Sequence, residues 1–452
     1  MTVPTLDAPT KFHRIVTERG HHARGPTLIV VGGVHGNEPA GLLAAQRVAA
    51  SLRDDQLLGR FVALAGNLQA LNFSPPPGTP HPRYLLRDLN RAFTPELIAR
   101  ATARDELDAA TKPDLELAEV RGLIEAIDDQ LDPARPAILL DLHTVSAESP
   151  PFVAVEDALP AREFARSFGL PLILGIEEEL PGLLMDWATN HRRCISMVIE
   201  GGRHDDPDSI DAHEAIITIA LDRAAVAAIP PERLATARAT LRRFAGRFAD
   251  RIYDVRHRQR IEHPSFEMLA PARAFARVRF GAPLAREHHR LIEAPIPGVL
   301  FMPNRQPVRP PGDDGFFIIR PVRPVWLACS AHLRSSERLH RWLPRILPGV
   351  RRRPDHPHQI LIAPRIASVL KRQVLHLLGY RILRHGREEH LSAFRRALRA
   401  ITTTANSLAT MLTGAFRGGE RSILAAESPD DWIATRRTLD LPPPAHAPAD
   451  TT

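Results

Sequence analysis

Between residue 27 and about residue 228 the sequence alternates short β-rich runs with helix-like stretches, and this alternation constrains the fold more than any other feature. The runs are Thr27–Val34, Phe61–Ala65, Pro136–Asp141, Leu170–Ile176 and Cys194–Ile199. The stretches that read as helices are Pro39–Leu52, Leu115–Leu131 and Ser209–Ala228. Strands alternating with helices predict an α/β fold: a largely parallel sheet with helices on both faces, because parallel strands need long crossovers and both sheet faces must be buried. Pro39 suits a first helical turn, where its missing N–H costs nothing, and Ser209 is expected to cap the helix it begins.

The texture changes after Pro230 and Pro231. Glu232–Arg251 reads as one charged helix, and residues 252–325 carry short apolar runs broken by Gly and Pro, the pattern of a small β-rich domain. From about residue 330 the chain reads as helical and Arg-rich, and a tail beginning at Pro442-Pro443-Pro444 reads as disordered. The predicted division is 1–230 (α/β domain), 231–251 (linker helix), 252–325 (β-rich domain capping the substrate site), 326–440 (helical extension) and 441–452 (tail). More than one domain is in any case the expectation for 452 residues.

Composition narrows the classes. Hydrophobic content of 44% with 25% charged residues is that of a globular chain. The pI near 10.1 raises nucleic-acid binding. However, only three of the 59 basic residues are Lys (Lys11, Lys112, Lys371), and the Arg are spread along the whole chain rather than gathered into a footprint. Two cysteines, Cys194 and Cys329, cannot build a disulfide framework. The N-terminus lacks the pattern of a signal peptide, and no apolar run approaches the roughly 18 residues of a membrane span. A cytoplasmic protein without a membrane partner is expected; a homo-oligomer is compatible with these features.

Four segments carry chemistry. Val34-His35-Gly36-Asn37-Glu38 follows the first apolar run, and its His and Glu, three apart, can reach one cation from a turn. Leu139-Leu140-Asp141-Leu142-His143-Thr144 places a second His just after a buried-looking strand. His, Glu and His form a ligand set that leaves a fourth zinc position open, and strand carboxyl ends are where doubly wound sheets bind ligands. Arg83-Tyr84-Leu85-Leu86-Arg87-Asp88-Leu89-Asn90-Arg91 gathers three Arg, an Asp and an Asn, a cluster suited to a carboxylate-bearing substrate. In Val198-Ile199-Glu200-Gly201-Gly202 a carboxylate ends an apolar run, where an activated water would be a fitting partner.

In this order and spacing the segments resemble the succinylglutamate desuccinylase and aspartoacylase family, zinc hydrolases similar in fold to carboxypeptidase A. The resemblance rests on Gly33–Glu38, Gly66–Ala70, Arg83–Arg91, Asp141–Thr144 and Glu200–Gly202, with a weaker match at Asp314-Gly315-Phe316-Phe317-Ile318. It implies a zinc-carboxypeptidase-like mixed sheet covered by helices and one Zn2+ per chain held by His35, Glu38 and His143. Glu200 would be the general base and Arg83 the group that polarises the scissile carbonyl. Asn90 and Arg91 would grip a substrate carboxylate, Asp88 would orient its neighbours, and Asp141 would support the metal site. Asn67, in the second motif, joins the expected substrate-binding residues. Two departures stand out. Relatives often read M-P-L-Y-Q where this chain reads Met302-Pro303-Asn304-Arg305-Gln306, so Arg305 takes the place of a substrate-contacting Tyr. The segment between Asn67 and Arg83 is longer, with Pro75-Pro76-Pro77-Gly78. The family also has an Arg upstream of the base, for which Arg192 or Arg193 could serve. His204 is expected to stabilise a turn or rim the pocket, and His213 to lie on a helix face.

The implied reaction is hydrolysis of a small anionic N-acyl amino acid. The competing expectations are a zinc carboxypeptidase acting on a peptide, a binding protein that has lost catalysis, and a nucleic-acid binder using Arg334–Arg353 and Arg381–Arg399. The third has no aromatic stacking platform to support it, and the second is disfavoured by the presence of ligands, base and Arg83 together.

Overall fold

The computed structural model describes residues 11–21, 23–103, 114–269, 273–306, 309–334, 336, 342, 350–352, 359–362, 378–383 and 432–436. Most of the Arg-rich segments 335–353 and 381–399, and the tail from residue 441, lie outside the described residues. The chain forms two compact units divided between Pro324 and Val325.

The first unit is built on strands β1 (Ile15–Arg19), β2 (Thr27–Gly32), β3 (Arg60–Ala65), β4 (Ala137–Val145), β5 (Phe152–Val155), β6 (Leu172–Leu174), β7 (Ile195–Arg203) and β8 (Ile252–Arg260). It continues through β9 (Glu267–Met268), β10 (Arg277–Val278), β11 (Pro283–Glu287), β12 (Arg290–Glu293), β13 (Gly298–Phe301) and β14 (Asp314–Pro321). Eleven of these make one mixed sheet in the order β1-β3-β2-β4-β7-β5-β6-β8-β14-β13-β10, and β12-β11-β9 form a small second sheet. Strands β3, β2, β4 and β7 are mutually parallel, whereas β5 pairs antiparallel with β7. The β-rich segment is only partly separate: β9, β11 and β12 make their own sheet, but β6 pairs parallel with β8 and β8 antiparallel with β14, so one ladder runs from the α/β region into residues 252–321.

The helices are α1 (Ala40–Ser51), α2 (Leu68–Leu71), α3 (Pro95–Thr102), α4 (Leu115–Asp128), α5 (Leu159–Arg166), α6 (Leu184–Arg192), α7 (Asp208–Arg223) and α8 (Pro231–Ala245). Period-two alternation in the central strands divides the core. Ile29, Val31, Val62, Leu64 and Leu139 face Leu117, Val120, Leu123 and Ile127 of α4 and Trp187 of α6. The opposite face, bearing Leu142, is covered by α1, where a side chain at Gly41 would sit 2.6 Å from the Leu142 Cβ. Helix α7 packs beside α1, and α8, the expected charged linker helix, packs on α7. A third cluster of Phe152, Tyr253, Phe275, Phe301 and Phe317 joins β5, β8, β13 and β14.

Ser209 does not cap α7, which begins one residue earlier; the Asp206 carboxylate accepts the Asp208 N–H at 3.0 Å instead. Ser209 is buried in the first turn. The second unit holds α9 (Pro324–Arg334) apart from its first residue. It also holds strands that sequence analysis did not anticipate: β15 (Val350–Arg352), β16 (Gln359–Ile362), β17 (Tyr380–Leu383) and β18 (Trp432–Arg436), an antiparallel sheet in the order β15-β16-β18-β17. Among the described residues no helix is long and apolar enough to cross a membrane.

Candidate metal and catalytic site

Strands β2 and β4 lie side by side and parallel, so their carboxyl ends deliver the turn bearing His35 and Glu38 next to His143. The turn is tight: Gly36 donates its N–H to the Arg83 carbonyl at 2.8 Å, and a Cβ there would lie 2.6 Å from the Pro82 carbonyl oxygen, so no larger residue fits without moving backbone. All three side chains are buried.

Their donor atoms converge. His143 Nδ1 is 3.1 Å from His35 Nδ1 and 3.1 Å from Glu38 Oε2, while His35 Nδ1 is 3.0 Å from Glu38 Oε1. Among the described residues this is the one group of three or more His, Cys, Asp or Glu whose ligand atoms all lie within 4.8 Å of one another. Bonds of 2.0–2.1 Å to a tetrahedral zinc imply ligand separations of about 3.3 Å, close to those observed. The far ring nitrogens are engaged: His35 Nε2 lies 3.0 Å from Asp88 Oδ1, and His143 Nε2 lies 2.8 Å from Asp141 Oδ1. A carboxylate behind each imidazole fixes the proton on Nε2 and turns the Nδ1 lone pair inward, so the donor set fits a zinc ion.

The charges are correspondingly perturbed. Burial alone would raise Glu38, but the charge of His35 and hydrogen bonds from both His hold it well below the usual carboxylate range. Asp88, also opposed by burial, is held well below by His35, Arg83 and Arg91. His143, which burial would lower, is held well above its ordinary value by Asp141 and Glu38.

Glu200 stands directly across from His143 in the β4–β7 register. It is buried, and its Oε2 has no partner among the described residues. Burial, reinforced by the charge of Glu38 against the pull of His143, pushes its carboxyl up to about 8. A carboxylate so perturbed beside a candidate metal-binding cluster is chemically able to take and return a proton. Below this strand end, His213 of α7 sets Nε2 3.0 Å from the His143 carbonyl and fills the space over Gly201.

The Arg cluster is placed around this centre but engaged differently from expectation. Arg83 donates Nη1 to Glu38 Oε1 at 2.8 Å and approaches Asp88 at 3.4 Å, which puts it beside the cluster. Arg91 forks between the Asn90 carbonyl (2.7 Å) and Asp314 (2.8 Å), and Arg258 binds the other oxygen of Asp314 at 2.5 Å. Asn90 was expected to contact substrate; its Oδ1 accepts from Leu184 N at 2.9 Å, and its Nδ2 faces Asp141 and His143 at 3.4 and 3.3 Å. These contacts make it a brace between α6 and the His35–Glu38–His143 cluster. Asn67, also expected at the substrate, is fully buried and caps α2 by accepting from Ala70 N. Arg305 has an exposed side chain, while its backbone N–H donates to Ser146 Oγ at 3.0 Å, on the chain leaving β4. Arg192 lies at the other end of β7 from Glu200, pairing with Asp128 and stacking on Trp187 4.8 Å from the ring centroid. Arg258 carries no motif and was missed in the sequence, and Asp314 was marked only by the weaker match at Asp314–Ile318, with no role attached; pairing of β8 with β14 brings them together.

Residues 24–227 match the family model described as the succinylglutamate desuccinylase/aspartoacylase catalytic domain. No curated protein matches the chain. Among solved structures, the chain is similar to a succinylglutamate desuccinylase/aspartoacylase from Rhodobacter sphaeroides (19% identity, 67% of this chain and 87% of that one, TM-score 0.47). It is also similar to the product-bound ectoine utilization protein of Ruegeria pomeroyi (17% identity, 66% and 85%, TM-score 0.45). A succinylglutamate desuccinylase from Vibrio parahaemolyticus is a third (15% identity, 68% and 84%, TM-score 0.44).

Proposed function

We propose, from the relation of this chain at superfamily level to the succinylglutamate desuccinylase/aspartoacylase family, that it is a zinc-dependent amidohydrolase that deacylates a small N-acyl amino acid. The observation that carries the reading is the convergence of His35, Glu38 and His143 on one point with the buried Glu200 across the strand pair, its Oε2 without a partner among the described residues.

His35, Glu38 and His143 would hold the ion through two Nδ1 atoms and a carboxylate, with Asp88 and Asp141 keeping the imidazoles oriented. Zinc, when bound, would supply Lewis acidity that polarises the amide carbonyl and lowers the pKa of water toward ~7. Glu200 accepts the proton of the attacking water and returns it to the leaving amine nitrogen as the C–N bond breaks, a role that its place across the strand pair from His143 suits. Arg83, adjacent to the cluster, donates to the oxyanion that develops on the carbonyl; one such donor is typically worth about 3 kcal/mol. Arg91, already paired with Asp314 and the Asn90 carbonyl, would offer its remaining N–H groups to a carboxylate of the substrate.

The test is metal analysis of the purified protein together with a hydrolysis panel containing N-acetyl-L-aspartate, N-succinyl-L-glutamate and short peptides, with and without chelator. About one zinc per chain with chelator-sensitive release of amino acid supports the reading. Cleavage of peptides alone would replace it with a carboxypeptidase, and absence of metal after reconstitution would refute it.

A further inference from the structure

Four residues beyond Glu200, the chain leaving β7 carries His204, which none of the roles above uses. Its backbone N–H donates to the Val145 carbonyl at 3.1 Å, and its Nδ1 lies 2.7 Å from Thr144 Oγ1. Thr144 follows the ligand His143 and donates its own backbone N–H to Glu38 Oε2 at 3.0 Å. The imidazole is therefore clamped against the metal cluster. Its Nε2 is buried and has no partner among the described residues.

A histidine that merely stabilised the turn would need only the Val145 and Thr144 contacts; its second nitrogen would be solvated or paired. A buried polar nitrogen without a partner is destabilising unless a ligand or water engages it. The threonine hydroxyl sets which proton the ring carries. The contact itself allows either tautomer; with no other acceptor for the hydroxyl hydrogen among the described residues, donation to Nδ1 is the arrangement that satisfies it. The ring proton then sits on Nε2, making that atom a donor. Burial lowers the pKa of the ring, so it stays uncharged at neutral pH and adds no competing cation beside the metal cluster.

We propose that His204 contacts the substrate, its Nε2–H donating to an oxygen of the bound N-acyl amino acid while Thr144 holds the ring in that tautomer. This rests on the hydrolase reading above and assigns one of its substrate contacts.

The experiment uses zinc-loaded protein carrying Glu200→Gln, which holds substrate without consuming it, titrated calorimetrically with N-acetyl-L-aspartate and N-succinyl-L-glutamate. Adding His204→Ala should weaken binding about tenfold, the loss expected for one buried hydrogen bond. His204→Gln, whose amide nitrogen reaches the place of Nε2, should restore it to within about threefold. Zinc affinity, measured by chelator competition, should be the same in all three proteins. Unchanged probe binding in His204→Ala would overturn the proposal and leave the hydrolase reading standing. Loss of zinc affinity in His204→Ala that Gln fails to rescue would overturn it too, making His204 a support for Glu38 through Thr144. Absence of binding by either probe to protein with His204 intact would refute both.

Discussion

Replacing Gly201 with Ala isolates the packing that supports the site. The added Cβ would lie 2.5 Å from His213 Nε2 and 2.7 and 2.8 Å from the adjoining ring carbons. Ordinary contact begins near about 3.5 Å, so the ring must retreat by roughly 1 Å. It has little room to do so: His213 is fully buried, and its Nε2 is committed to the His143 carbonyl at 3.0 Å. Overpacking of this kind costs about 1–3 kcal/mol, and the strained or lost hydrogen bond about 1 kcal/mol more. A total of about 2–4 kcal/mol corresponds to a fall in Tm of roughly 3–6 °C for a unit the size of Met1–Pro324. Calorimetry on chelator-treated protein measures that fall, and chelator competition tests whether zinc affinity drops with it, since the displaced ring touches the carbonyl of a ligand residue. The double variant Gly201→Ala with His213→Ala vacates the contested space, so its destabilisation should be smaller than the sum of the single effects. A Gly201→Ala protein with unaltered Tm and zinc affinity, or strictly additive losses in the double variant, would refute the reasoning.

Glu200→Gln should keep about one zinc per chain and lose roughly 10²–10⁴-fold in turnover, because a proton acceptor is removed and no ligand is; retained turnover would assign the base elsewhere. The pH dependence of stability should carry the mark of His213. Burial depresses its pKa from 6.5 to about 4, so the unfolded chain takes up this proton before the folded protein can. The stability contributed by the neutral ring is therefore present above pH 6.5 and lost as pH falls toward 4. Denaturant midpoints of chelator-treated protein should decline over that window, and less steeply in His213→Gln; parallel declines would show that the ring is not the titrating group.

Much of this architecture is legible in the sequence because its physics is local. Thr27–Val34 and Pro136–Asp141 read as buried strands, and β2 and β4 are fully buried on both faces. His35, Glu38 and His143 read as ligands because each follows such a strand, and the parallel pairing of β2 with β4 then brings them together. What was not legible depends on distant pairings. Asn67 and Asn90 sit inside motifs, and nothing local shows that Asn67 caps α2 or that Asn90 braces Leu184 of α6. Arg91 likewise reads as a free guanidinium until β14 supplies Asp314. His213 reads as one more polar residue on a helix because its partner is a backbone carbonyl 70 residues away. Strand β5 was missed because only four residues, Phe152–Val155, follow two prolines, too short a run to show its period.

The shared ladder through β6, β8 and β14 has a mechanical meaning. Asp314, which holds Arg91, begins a strand hydrogen-bonded to β8, and β8 in turn is bonded to β6 of the α/β region. Swinging residues 252–321 as a hinged body would break that seam, so admission of substrate falls to loops between strands. Chimeras that exchange this segment between relatives would have to match strand register and twist as well as loop sequence. Under the proposed function, selectivity would be more readily altered by editing residues 302–306 and 309–313, between β13 and β14, than by transplanting a module.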